Sequence, residues 1–207
     1  MATATTLGLS FSLSPLGLTT LRILPWLGTT ASLAHAWVEY ISTSSFLARR
    51  APTSTRFAKA ATQREAPTQT CNDNEVSAAL DIAIPHWFTC WFNSGVYSVV
   101  ALNCISFYSG LANVLLFNKG LGKERKWYLA GTLLAVSHMA FVPLVAGPVS
   151  RIMRLCVKQQ GGEEVGERGA ARSEVQKWVR LHCIRATTVD VAAWGCFAVG
   201  VVRVLTK

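Results

Sequence analysis

Trp178, His182 and Arg185 follow the spacing i, i+4, i+7, which puts an aromatic ring, an imidazole and a permanent cation on one stripe of a helix. That combination suits a planar, anionic aromatic ligand. The indole can stack, the guanidinium can pair with a phenolate or enolate oxygen, and the imidazole can move a proton. The same three residues also fit the start of a membrane helix, where aromatic and basic side chains act as headgroup anchors. His35 and Glu39 lie four residues apart, with Ser32 three residues before His35, and so share a second helix face. There the carboxylate can orient the imidazole as a general base, or the pair can sit among headgroups at the end of a span. His138 falls near the middle of an apolar run and needs a partner or a pocket. It is either a base or one end of an interhelical hydrogen bond, worth about 0.6–2 kcal/mol in a membrane. Asn103 and Asn113 add amides to another run. Asp190, five residues past Arg185, points elsewhere on a regular helix and must be neutral, paired with another helix or lining a cavity.

These polar residues stand in very apolar surroundings. The chain has 207 residues, of which 51% are hydrophobic and 15% charged, against about 25% charged in soluble domains. No Asp, Glu, Lys or Arg occurs from Ile82 to Asn118, nor from Trp127 to Ser150. Both runs exceed the roughly 20 residues that cross a bilayer. The reading is one all-α integral membrane domain, a four-helix bundle with spans over about 19–42, 90–117, 127–149 and 183–205. Polar loops occupy 48–85 and 150–172. Ionisable residues inside such spans are costly, face the bundle interior and are functional candidates by default.

Local signals refine the spans. Pro25 sits near the start of the first, Trp87 and Trp91 suit the headgroup level before the second, and Trp127 and Tyr128 anchor the third. Pro143 and Pro148 predict a kink or an end in the third span. Ser173 and Gln176 fit a capping box opening the last helix, which then runs to Leu205. At roughly 48 Å that helix outreaches the hydrocarbon, so its first turns, with His182, lie outside the core or cross the interface. The connections 48–85 and 150–182 carry twelve Lys and Arg against six in the short loop and C-terminal tail. The positive-inside rule therefore puts the long loops in the cytosol and both termini in the lumen. Residues 1–21 lack the basic start of a signal peptide.

Several chemistries are disfavoured. The net charge of +9 comes from loop residues without the basic-aromatic alternation of a nucleic-acid face, so no nucleic-acid partner is expected. None of the six cysteines forms a CxxC pair or zinc spacing. A di-iron carboxylate bundle needs several Glu and Glu-x-x-His motifs, which the spans lack. Bis-histidine haem fits the count of histidines, but only His138 is convincingly placed for it. The expected partners are the lipid bilayer and a hydrophobic aromatic small molecule.

The stretch Trp178-Val-Arg-Leu-His182-Cys-Ile-Arg185 resembles the opening of the last span in fungal anthrone oxygenases and their membrane relatives. Ile84-Pro85-His86-Trp87-Phe88 running into Asn93, Gly95 and Asn103, and Val142-Pro143-Leu144, are similar too. The likeness runs loosely from about 20 to 205, and the long first loop does not match it. The resemblance implies a four-span oxygenase of aromatic polyketide, secondary-metabolite pathways in an endomembrane such as the endoplasmic reticulum. It converts an anthrone to an anthraquinone with molecular oxygen and without a metal or flavin cofactor. By that resemblance His182 or His138 is the base, Arg185 pairs with the anionic oxygen and Trp178 stacks, with Asn103, His35 and Glu39 as further substrate-binding candidates. A non-catalytic membrane accessory protein and a small transporter lined by Asp190, Glu39 and Asn103 are the competing readings.

Overall fold

The computed structural model describes residues 1–6, 8–48, 73–163 and 169–206. The helical segments are α1 (Pro15–Leu47), α2 (Asp73–Leu115), α3 (Arg125–Ser137), α4 (Val142–Gln160), α5 (Ala170–Arg185) and α6 (Val191–Leu205). A 3-10 turn (His138–Phe141) joins α3 to α4, and a π turn (Ala186–Asp190) joins α5 to α6. Four long rods result, the fold class read from the sequence. A small antiparallel hairpin, β1 (Ala2–Thr6) with β2 (Leu9–Leu13), precedes them and takes no part in the core.

Three rods are long and apolar enough to cross a membrane: Asn74–Leu115, Gly122–Gln160 and Ala170–Leu205. The chain is a membrane protein by that measure. The first rod, α1, falls outside this group because Thr, Ser, Gly, His35, Glu39 and Arg22 dilute its hydropathy. Its faces are nevertheless inverted relative to a soluble helix. Arg22, Gly28, Thr29, Glu39 and Thr43 are buried, whereas Leu27, Trp37, Val38 and Ile41 are each at least half exposed. Apolar outside and polar inside is the arrangement a lipid solvent selects. α1 thus completes the bundle as its fourth rod, with apolar side chains outward.

The helices extend beyond the spans read from the sequence. Residues 73–85, read as part of a polar loop, form the first turns of α2, and 150–160, also read as loop, continue α4. The rest of the first loop, including Cys71, lies outside the described residues. The capping box does not form. Helix α5 begins four residues earlier, with Gly169 at the N-cap position, and Ser173 lies inside it, its N–H donating to the Gly169 carbonyl at 2.9 Å. Gly169 takes φ +82°, open to glycine, and its own N–H donates to the Asp81 carboxylate of α2 at 2.7 Å. A tertiary cap therefore replaces the local one.

Prolines explain much of the interhelical bonding. A proline has no N–H, so the carbonyl four residues before it loses its helix partner and, in lipid, needs another. Pro25 releases the Leu21 carbonyl, which accepts from Asn113 Nδ2 at 2.8 Å. Pro85 releases the Asp81 carbonyl, which accepts from Gln159 Nε2 at 2.8 Å. Pro143 releases the Met139 carbonyl, and the Val142 N–H takes it in 3-10 geometry. Two apolar clusters flank the bundle. One holds Ile84, Phe88, Ile152, Val175 and Trp178, and the other Val114, Leu121, Tyr128, Phe197 and Val201.

Asn113→Leu should cost about 1–3 kcal/mol of unfolding free energy, because it orphans the Leu21 carbonyl. Pro25→Ala restores the missing N–H and should remove most of that cost. Denaturant titration of the four proteins in detergent checks this, and an equal cost in both backgrounds would refute the proline account.

Candidate active site

On every rod one or more of the candidate polar residues falls between the two apolar clusters, which puts them at one level midway along the bundle. They are His35 and Glu39 on α1, Asn103 on α2, His138 in the 3-10 turn, His182 and Arg185 on α5, and Asp190 at the end of the π turn. His182 is 2% exposed, and His138 is 3% exposed, so both imidazoles are buried inside the bundle.

Asp190 joins the parts. Its Oδ1 accepts from His138 Nδ1 at 3.0 Å, and its Oδ2 lies 3.3 Å from Arg185 Nε. A regular helix would turn Asp190 away from Arg185. The π turn closes through the Val191 N–H to the Ala186 carbonyl, five residues back, and brings residues five apart towards one face. Thr187 and Thr188 assist it. Their hydroxyls donate to the carbonyls of Cys183 at 2.7 Å and Ile184 at 2.5 Å, which compete for the ordinary helix bonds there.

The two buried imidazoles are held differently. Nε2 of His182 donates to the Ala36 carbonyl at 2.9 Å, which leaves Nδ1 to accept from Arg185 Nη2 at 3.2 Å. Both ring nitrogens are engaged. His138 donates through Nδ1 to Asp190, which leaves the Nε2 lone pair facing Asn103 Nδ2 at 3.5 Å. That contact is long, and Asn103 Nδ2 already donates to the Val99 carbonyl at 2.9 Å. A carboxylate-oriented imidazole with a loosely held second nitrogen is the arrangement of a general base.

Glu39 extends the network to α1. Its oxygens lie 3.6 Å from His182 Nδ1 and 3.6 Å from His35 Nδ1. His35 Nε2 meets the Ser98 hydroxyl at 2.8 Å, and Ser98 has no signal in the sequence. Trp178 stacks on His182, centroids 4.8 Å apart, and meets Phe88 and Trp91 edge-on at 5.7 and 5.5 Å. It is 4% exposed, so its ring is taken up by this chain's own side chains and offers no free face for a ligand.

Two clefts open towards the lipid at this level. One, of about 280 Å³ between α2 and α3, is lined by Asn103, Val100, Cys104, Phe107, Tyr108 and Met139, with His138 behind Asn103. The other, of about 380 Å³, lies between α1 and the π turn and includes Trp37, Tyr40, His182 and Thr187. Apolar walls with a few convergent polar groups are usual for small-molecule sites. Among the described residues no three His, Cys, Asp or Glu side chains gather as metal ligands.

The chain is similar to two curated fungal proteins, each described as an epoxidase. It is 25% identical to the epoxidase pydX of Acremonium sp over 125 residues, covering 59% of this chain and 70% of the relative. It is 22% identical to the epoxidase gkaX of Penicillium citrinum over 128 residues, covering 61% and 73%. No protein-family model and no solved structure matches the chain.

Arg185→Leu leaves the Asp190 carboxylate buried without its cation and should cost about 3–5 kcal/mol of stability. Arg185→Leu combined with Asp190→Leu should recover most of that loss. Unfolding in detergent reads both, and a single variant as stable as wild type would show that the ion pair is not buried.

Proposed function

We propose that this chain is a membrane oxygenase of secondary metabolism that oxidises a hydrophobic, unsaturated ring system with molecular oxygen, with an anthrone as the substrate class. The observation that carries the reading is His138, oriented by Asp190, with Nε2 turned towards Asn103, which lines a lipid-facing cleft and stands between it and His138. The two epoxidase relatives support oxygen transfer to an unsaturated molecule. The resemblance of Trp178 to Arg185 to anthrone oxygenases supports the aromatic substrate and a reaction without a metal or flavin.

An apolar substrate enters from the bilayer between α2 and α3. His138 Nε2 removes a proton from the ring methylene, and the resulting anion is stabilised as a delocalised phenolate. Its electron pair forms the carbon–oxygen bond to dioxygen, and the proton returns to the outer oxygen to give a hydroperoxide. Loss of the second methylene proton with cleavage of the oxygen–oxygen bond gives the carbonyl and water. The sum is CH2 plus O2 to C=O plus H2O, with no external reductant. Asn103 donates to the phenolate oxygen, Arg185 supplies the nearby positive charge, and His182, Glu39 and His35 position Arg185 from behind. Trp178 positions His182.

Membranes containing the protein, supplied with emodin anthrone and oxygen, should form the anthraquinone well above the spontaneous rate. His138→Gln keeps a donor to Asp190 and removes the base, so it should slow the reaction by about 100-fold or more. Full turnover in His138→Gln would remove the base assignment. Epoxide formation from an alkene, with no effect on the anthrone, would move the substrate to the relatives' reaction class.

A further inference from the structure

A third cleft, of about 370 Å³, lies on the outer face where α4 meets α5, away from the polar centre. Its lining changes character along its length. Leu144 and Leu181 lie at the end nearer the bundle middle, the buried Pro148 lines it between them and the cations, and Arg151, Lys177 and Arg180 lie towards the end of the molecule. From Leu144 to Arg151 the cleft climbs two helical turns, about 10.5 Å.

The cations are organised by one carboxylate. Glu174 is 9% exposed, and its Oε2 lies 2.8 Å from Arg151 Nε while its Oε1 accepts from Lys177 Nζ at 2.7 Å. Arg151 and Lys177 are themselves about half exposed at the cleft mouth. Arg180 makes no ion pair among the described residues. Three cations thus stand against one buried carboxylate, and the surplus faces outwards. A buried acid holding two exposed cations in place above an aliphatic trough is complementary to a molecule with an anionic head and an apolar tail.

We infer that this cleft is a binding site for an anionic phospholipid, with the phosphate among Arg151, Lys177 and Arg180 and an acyl chain along Leu144 and Leu181. Cationic pockets between membrane helices at headgroup depth recognise such lipids by charge, and the aliphatic floor selects them over a free anion. The site is independent of the oxidation chemistry, so its test does not depend on turnover.

The experiment titrates phosphatidylglycerol into the full chain in neutral detergent and reads thermal stability, with phosphatidylcholine and inorganic phosphate as separate probes. The expected result is a saturable rise with phosphatidylglycerol alone. Apparent affinity should fall about five-fold in Arg180→Gln and about thirty-fold in Arg151→Gln/Arg180→Gln. Arg180→Gln breaks no ion pair among the described residues, so it carries the test even where loss of Arg151 unsettles Glu174. Equal shifts with phosphatidylcholine, an equal shift with inorganic phosphate, or unchanged affinity in Arg180→Gln would each overturn the assignment.

Discussion

A carboxylate buried midway through a membrane bundle cannot stand alone, and Asp190 is that carboxylate. Taking a charge out of water costs several kcal/mol even after relaxation, and attraction offsets this only when the partners are close and well aligned. Asp190 has two partners, His138 from the 3-10 turn between α3 and α4 and Arg185 from its own rod. Two irregular turns serve that contact. The π turn brings Asp190 round to Arg185, and the 3-10 turn before Pro143 holds His138 at the same level. Arg185 then reaches His182, and Glu39 links His182 to His35, so the network touches every rod.

The fold was largely legible because a lipid solvent leaves blunt traces. Charge-free runs marked two of the rods, and the capacity of α1 to bury Glu39 while exposing Trp37 and Val38 follows from the same rule read in reverse. Helix ends were less legible. The first turns of α2 and the last of α4 are polar and held by tertiary bonds such as Gln159 to the Asp81 carbonyl. The start of α5 depends on Asp81, which lies far away in sequence.

The candidate site was legible in its members and not in its connections. His35, Glu39, Asn103, His138, His182 and Arg185 could be named as costly residues in apolar runs, and they do converge. Asp190 was placed on the wrong side because a regular 3.6-residue period was assumed where the chain makes a π turn. No spacing rule reveals that Trp178 and Phe88 pair, or that His182 spends both nitrogens on Ala36 and Arg185 while His138 keeps one loosely held. Those are tertiary facts, and under the proposed function they assign the base to His138 rather than to His182.

The central claim is that His138 removes a carbon-bound proton before oxygen reacts, and exchange without oxygen isolates that step. Purified protein in lipid nanodiscs would be mixed anaerobically with the anthrone in deuterated buffer, and the loss of methylene protons followed by nuclear magnetic resonance. The account predicts exchange faster than in empty nanodiscs, with the acceleration lost in His138→Gln. Oxygen-dependent turnover without accelerated exchange, or acceleration that survives His138→Gln, would contradict it.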